Sequence, residues 1–168
     1  LLATATATFA IVPHMGTPPY DPVTDFTSIA KIVDSRRVLA VHPSVPAETV
    51  EELVEYARAN PGVLNFGSPG VGSTVQIITE MFNRNNDIEM THVPFSGAAP
   101  ALTDLLAGRI HVMIDTVVIP HVESGALRGL AVLGDQRLAD LPDLPTLEEA
   151  GLPEMHTHGW NGLFGPAN

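Results

Sequence analysis

Cysteine is absent from the 168 residues, which excludes disulfides, cysteine-ligated metal centres and thiol nucleophiles. That absence fits many compartments and selects none. Basic residues are scarce: 8 Lys and Arg stand against 19 Asp and Glu, a net charge of −11. Nucleic acids and anionic membrane surfaces both require basic patches, so neither is an expected partner. A small anion is not excluded on that ground, because local N–H groups govern a buried site and surface charge is screened beyond about 8–10 Å. No apolar run reaches the roughly 18–20 residues of a membrane span. The opening Leu1-Leu2-Ala3-Thr4 lacks an initiating Met and a basic n-region, so no signal peptide is legible. Both ends are apolar and strand-like, and each is expected to be a truncation of something longer.

What is present is a globular, well-buried composition, 45% hydrophobic and 16% charged. The length fits one domain, or one domain with pieces of another. Fifteen prolines and fourteen glycines imply many short, firmly punctuated elements. Residues 1–10 form a Thr-rich β-like run, and 14–22 are too proline-dense for a helix. Residues 26–33 and 38–41 read as strands broken at Asp34-Ser35-Arg36-Arg37. A helix follows through Arg58, with apolar spacing Val50, Leu53, Val54, Ala57 and acids in its first turn. Strands at 90–95, 110–115 and 127–133 alternate with helices at 97–107 and 119–124. A short helix at 146–151, capped by Thr146 and stopped by Gly151, precedes a last strand at 158–164 with the lone Trp160. Such alternation indicates a parallel or mixed sheet covered on both faces.

The most informative stretch is Leu64-Asn65-Phe66-Gly67-Ser68-Pro69-Gly70-Val71-Gly72-Ser73-Thr74. A strand runs into a glycine loop, then a hydroxyl pair, then a helical pattern of Val75, Ile77, Ile78, Met81 and Phe82. Glycines allow tight turns and close approach to a ligand, and a helix N-terminus offers free N–H groups and a positive dipole end. This is the sequence pattern of a small-anion cradle, or of an ordinary βα turn with Ser73 as N-cap. No Lys follows the last glycine and the spacing is not G-x-G-x-x-G, which argues against nucleotides.

Further motifs run the length of the chain. They are Tyr20-Asp21-Pro22-x-x-Asp25-Phe26, Val41-His42-Pro43-Ser44-x-Pro46-Ala47, Gly67-Ser68-x-Gly70-x-Gly72-Ser73 and His92-Val93-Pro94-Phe95-x-Gly97-x-x-Pro100-Ala101-Leu102-x-Asp104-Leu105-Leu106-x-Gly108. After them come Gly125-x-Leu127-Arg128-x-Leu130-Ala131-Val132, Leu141-Pro142-Asp143-Leu144-Pro145-Thr146-x-x-Glu149-Ala150-Gly151 and Trp160-x-Gly162-Leu163-Phe164-x-Pro166-Ala167. In this order they resemble the tripartite tricarboxylate transporter receptors, also called Bug-type solute-binding proteins. The resemblance implies an α/β, periplasmic-binding-protein type II-like lobe with a central five-stranded mixed sheet flanked by helices, plus strands of an incomplete second lobe. It assigns residues 1–34 to a partial first lobe and hinge, 35–134 to the second, ligand-binding lobe, and 135–168 to the return segment. It further implies a periplasmic receptor, not an enzyme, that needs no cofactor and delivers a small mono- or dicarboxylate to a membrane permease.

Residue by residue, the resemblance points to Gly70, Gly72, Ser73 and Thr74 in the glycine loop and to the turn Pro94-Phe95-Ser96-Gly97. It adds Asp115-Thr116 at a strand's carboxyl end, where ligands of open α/β sheets sit, and Thr6 from the first lobe. Asp115 is acidic, so its expected role is a helix cap. Few Lys or Arg residues lie near these loops in sequence, which disfavours highly charged ligands, and Phe95 offers an apolar wall. His156-x-His158 places two imidazoles on one strand face, but with no third ligand nearby a metal is not expected. Two other classes remain as alternatives: an effector-sensing domain of a transcriptional regulator, and a hydrolase using Ser73, although no G-x-S-x-G elbow is present. If the chain is a fragment, strands such as 1–9 and 160–164 should leave unpaired apolar edges, to be covered in a homodimer or a strand-swapped assembly.

Overall fold

The computed structural model describes residues 1–152 and 159–167. The pair His156 and His158 lies outside the described residues. Two sheets organise the chain, and the larger has five strands in the order β5-β4-β6-β3-β7. These are β3 (Arg37–Val41), β4 (Asn65–Ser68), β5 (Thr91–Pro94), β6 (Val112–Asp115) and β7 (Arg128–Leu133). β4 pairs parallel with β5 and β6, whereas β3 runs antiparallel to both β6 and β7. The sheet is therefore mixed, with one reversed strand, β3, next to the edge strand β7.

Period-2 alternation explains why this sheet is covered on both faces. Along β3, Leu39 and Val41 enter one apolar cluster while Val38 and Ala40 enter the other. Helices α3 (Val50–Ala59) and α4 (Thr74–Asn86) close the first face with Val50, Leu53, Ala57, Ile78 and Phe82. Helix α5 (Ala98–Leu106) closes the second with Ala101 and Leu105, aided by Val122 of α6 (Ile119–Glu123). The start of α3 is fixed by its cap: the Thr49 side chain accepts from the Glu52 N–H at 3.1 Å, and Glu52 accepts from the Glu48 N–H at 2.6 Å.

The smaller sheet has the order β1-β8-β2, with β1 (Leu2–Ala5), β2 (Phe26–Ser35) and β8 (Gly159–Pro166) all antiparallel. Here three expectations are corrected. The strand expected through residue 10 stops at Ala5, and α1 (Thr6–Ala10) and α2 (Val12–Met15) follow. The reason is Thr6: its hydroxyl donates to the Trp160 carbonyl at 3.1 Å and accepts from the Trp160 N–H at 2.9 Å. One side chain thus replaces the next rung of the ladder and frees the backbone to turn. Second, the segment containing Trp160 and Phe164 is not an unpaired edge, since β8 is the middle strand with partners on both sides. Third, Thr146 to Gly151 makes a capping box without a helix. Thr146 accepts from the Glu149 N–H at 3.2 Å and Glu149 from the Thr146 N–H at 2.8 Å, but Gly151 at φ +86° ends the turn at once. Leu147 from this turn is buried in the first apolar cluster of the larger sheet.

Only Arg36 separates β2 from β3, so the break expected over four residues shrinks to one. One nearly continuous stretch therefore crosses from the small sheet to the large one. It also pairs Ser35 with Gly159 across the small sheet, bringing β8 beside the start of β3.

Candidate ligand-binding cleft

The glycine loop leaves β4 at Ser68, a buried serine. Its hydroxyl donates to the Gly70 carbonyl at 3.0 Å, accepts from the Gly70 N–H at 3.2 Å, and lies 2.6 Å from His92 Nε2. His92 stacks on Phe66 with ring centroids 4.9 Å apart, and burial pulls its pKa below the ordinary 6.5 against the opposing charge of Glu80. Gly70 and Gly72 take φ +135° and +77°, which side-chain-bearing residues rarely adopt. A Cβ on Gly72 would also meet the Met15 sulfur at 2.7 Å, so α2 lies directly over the loop.

Ser73 is the N-cap of α4: its side chain accepts from the Gln76 N–H at 3.2 Å, and Gln76 accepts in return from the Gly72 N–H at 2.7 Å. The Ser73 N–H reaches the Gly70 carbonyl at 3.3 Å. The loop therefore consumes several of the donors expected for an anion. Among the described residues the N–H groups of Val71, Thr74 and Val75 are left without a partner, and Thr74 and Val75 are the first two residues of the helix.

Both of these residues line an open cavity of about 270 Å³ with Ser73, Asp115, Thr116, Pro69, Ser35, Ala7 and Arg37. It sits at the carboxyl edge of β4 and β6, as expected for an open α/β sheet. Arg37 reaches it because β3 is reversed: the first residues of β3 stand beside the last residue of β6, in the pair Val38 and Asp115. Among the described residues Arg37 Nη1 is buried with no hydrogen-bond partner. Burial lowers the Arg37 pKa while Asp115 pulls it up, yet no ion pair closes between the two. Asp115 Oδ1 instead accepts from the N–H groups of Thr116 at 2.6 Å and Val117 at 3.3 Å, organising the turn that leads to α6.

Of the residues singled out from sequence, Ser73, Thr74 and Asp115 converge on the cavity. Gly70 and Gly72 shape the loop behind it without lining it. Pro94, Phe95 and Ser96 lie beyond the cavity lining: the Phe95 N–H donates to the Ser68 carbonyl at 3.0 Å, and its ring packs in the second apolar cluster. The Thr6 hydroxyl is committed to Trp160, and its neighbour Ala7 faces the cavity instead. Arg37 is the residue that sequence reasoning missed, because it lies far along the chain from every candidate loop. The expectation that few Lys or Arg residues lie near them in sequence holds along the chain, and Arg37 is brought to the cavity by the fold. No cluster of three or more metal-ligating side chains occurs among the described residues.

A two-sheet α/β chain of this topology has the architecture of periplasmic binding proteins. The model of the tripartite tricarboxylate transporter family receptor matches residues 1–168, and the chain belongs to that family. It is 30% identical to Protein BugT of Bordetella pertussis over 99% of this chain and 52% of that one. Among solved structures it resembles MatC of Rhodopseudomonas palustris with bound malate, at TM-score 0.85 and 29% identity over 99% of this chain and 57% of that one. It also resembles R. palustris Rpa4515 with adipate, at TM-score 0.80 and 40% identity over 88% and 50%. The chain spans about half the length of these relatives. The family is one of receptors, not enzymes.

Proposed function

We propose that the chain is the ligand-binding part of a periplasmic solute receptor that captures a small mono- or dicarboxylate and hands it to the membrane permease of a tripartite transporter. Residues 35–134 form the binding lobe in this reading, with 1–34 and 135–168 belonging to the other. The observation that carries it is the cavity at the carboxyl edge of the larger sheet, where the free N–H groups of Thr74 and Val75 meet. Charge-assisted bonds of this kind contribute about 1.5–3 kcal/mol each, enough to hold a carboxylate without a basic surface. The malate and adipate held by two relatives support the same chemistry. No helix among the described residues is long and apolar enough to cross a membrane, which fits a receptor that works beside a separate permease.

The test is a thermal-shift screen of the full receptor against carboxylates, with neutral sugars as the control. Several degrees of stabilisation by at least one carboxylate is expected. Stabilisation by sugars alone would refute the reading, and so would hydrolysis of a carboxylate ester that disappears in Ser73→Ala.

A further inference from the structure

The family reading leaves one group at the cleft without a task. Arg37 carries five donors in a fixed fork, sits among the described residues with its Nη1 buried and unpartnered, and lines the same cavity as Thr74 and Val75. Arg37 as a whole is half-buried, and a buried polar atom without a partner is costly. Asp115 does not supply one: no ion pair forms, and its Oδ1 is taken up by Thr116 and Val117. The backbone meanwhile makes room for the guanidinium. A Cβ on Gly159 would collide with Arg37 Nη1 and stand 2.7 Å from Nη2, so only the absence of a side chain there lets the fork lie where it does.

We propose that Arg37 is a specificity-determining binding residue, a second anion point in the cavity at the α4 N-terminus that fits the cleft to a dicarboxylate. This rests on the receptor reading above. One carboxylate takes the N–H groups of Thr74 and Val75, and the other takes the guanidinium fork, for which a planar bidentate acceptor is the matching shape. The cavity is open and measures about 270 Å³.

Isothermal titration of the full receptor with malate, succinate and adipate, and with the monoamide of each, provides the test. Wild type is expected to prefer a dicarboxylate over its monoamide by about 10–100-fold, the size of one charge-assisted contact. Arg37→Met should abolish that preference by weakening the dicarboxylate more than the monoamide, and Arg37→Lys should restore part of it. Where Arg37→Met fails to fold, Gly159→Ala serves, because it displaces the fork while keeping the charge, and the preference should fall there too. An unchanged preference in the folded variant overturns the role of Arg37. A wild type that binds monocarboxylates alone overturns it as well but leaves the receptor reading standing, whereas binding of no carboxylate defeats that reading itself.

Discussion

At the scale of single residues, side chains and glycines divide the work of the cleft. Ser73 spends its hydroxyl on capping, Gln76 takes the Gly72 N–H, and Ser68 ties down Gly70, so the loop is held by its own hydrogen bonds. Gly72 is one of the loop glycines held at positive φ. Its φ of +77° lies in the left-handed region, and a Cβ there would also strike Met15. Gly72→Ala should therefore destabilise the protein by about 1–2 kcal/mol, read as a lower urea midpoint with an unchanged slope. A midpoint equal to wild type would mean that the loop relaxes freely.

Elements act through direction as much as through composition. β3 is the one strand of the larger sheet that opposes its neighbours, and this reversal delivers Arg37 to the edge where β4 and β6 end. At the opposite edge His111 joins β4 to β6: its Nδ1 accepts from the Asn65 N–H at 3.1 Å, and its own N–H donates to Asn65 Oδ1 at 3.1 Å. Burial and the proximity of His42 lower the His111 pKa below the ordinary 6.5. In the window below that value the unfolded chain binds the proton more readily than the fold does, so stability is lost as pH falls. Protonation of Nδ1 would also cost the bond to Asn65. Melting temperature should thus drop between about pH 7 and about pH 5, and drop less in His111→Gln. Parallel slopes for the two proteins would assign the acid sensitivity elsewhere.

Across the whole molecule the two sheets are unequally covered. The five-stranded sheet is buried on both faces, whereas β2 of the smaller sheet exposes Ile29, Ile32 and Val33 at 52%, 60% and 47%. β1 and β2 are also its edges, and an exposed apolar edge is a template for pairing. Residues 1–168 produced alone should therefore self-associate, with light scattering giving a mass above that of one chain. A stable monomer at high concentration would count against this.

The sequence by itself determined the elements of the larger sheet, because each carries a local signal. The period of α3, the Thr49 cap, the strand–glycine–helix order at Ser73 and the apolar alternation of β3 and β6 all act within a few residues. Segment 6–10 misled because a strand and a helix were both locally acceptable there, and a contact with Trp160, 154 positions away, settled the choice. Tertiary structure alone decided the composition of the cleft. Ser35 and Arg37 face Ser73, Thr74 and Asp115 because a crossing strand enters the larger sheet in reverse, and strand direction is fixed by partners distant in sequence. Thr74 and its loop were legible because a helix N-terminus is built from consecutive residues. Arg37 was not, since nothing near it in the chain reveals that Gly159 leaves room for its guanidinium.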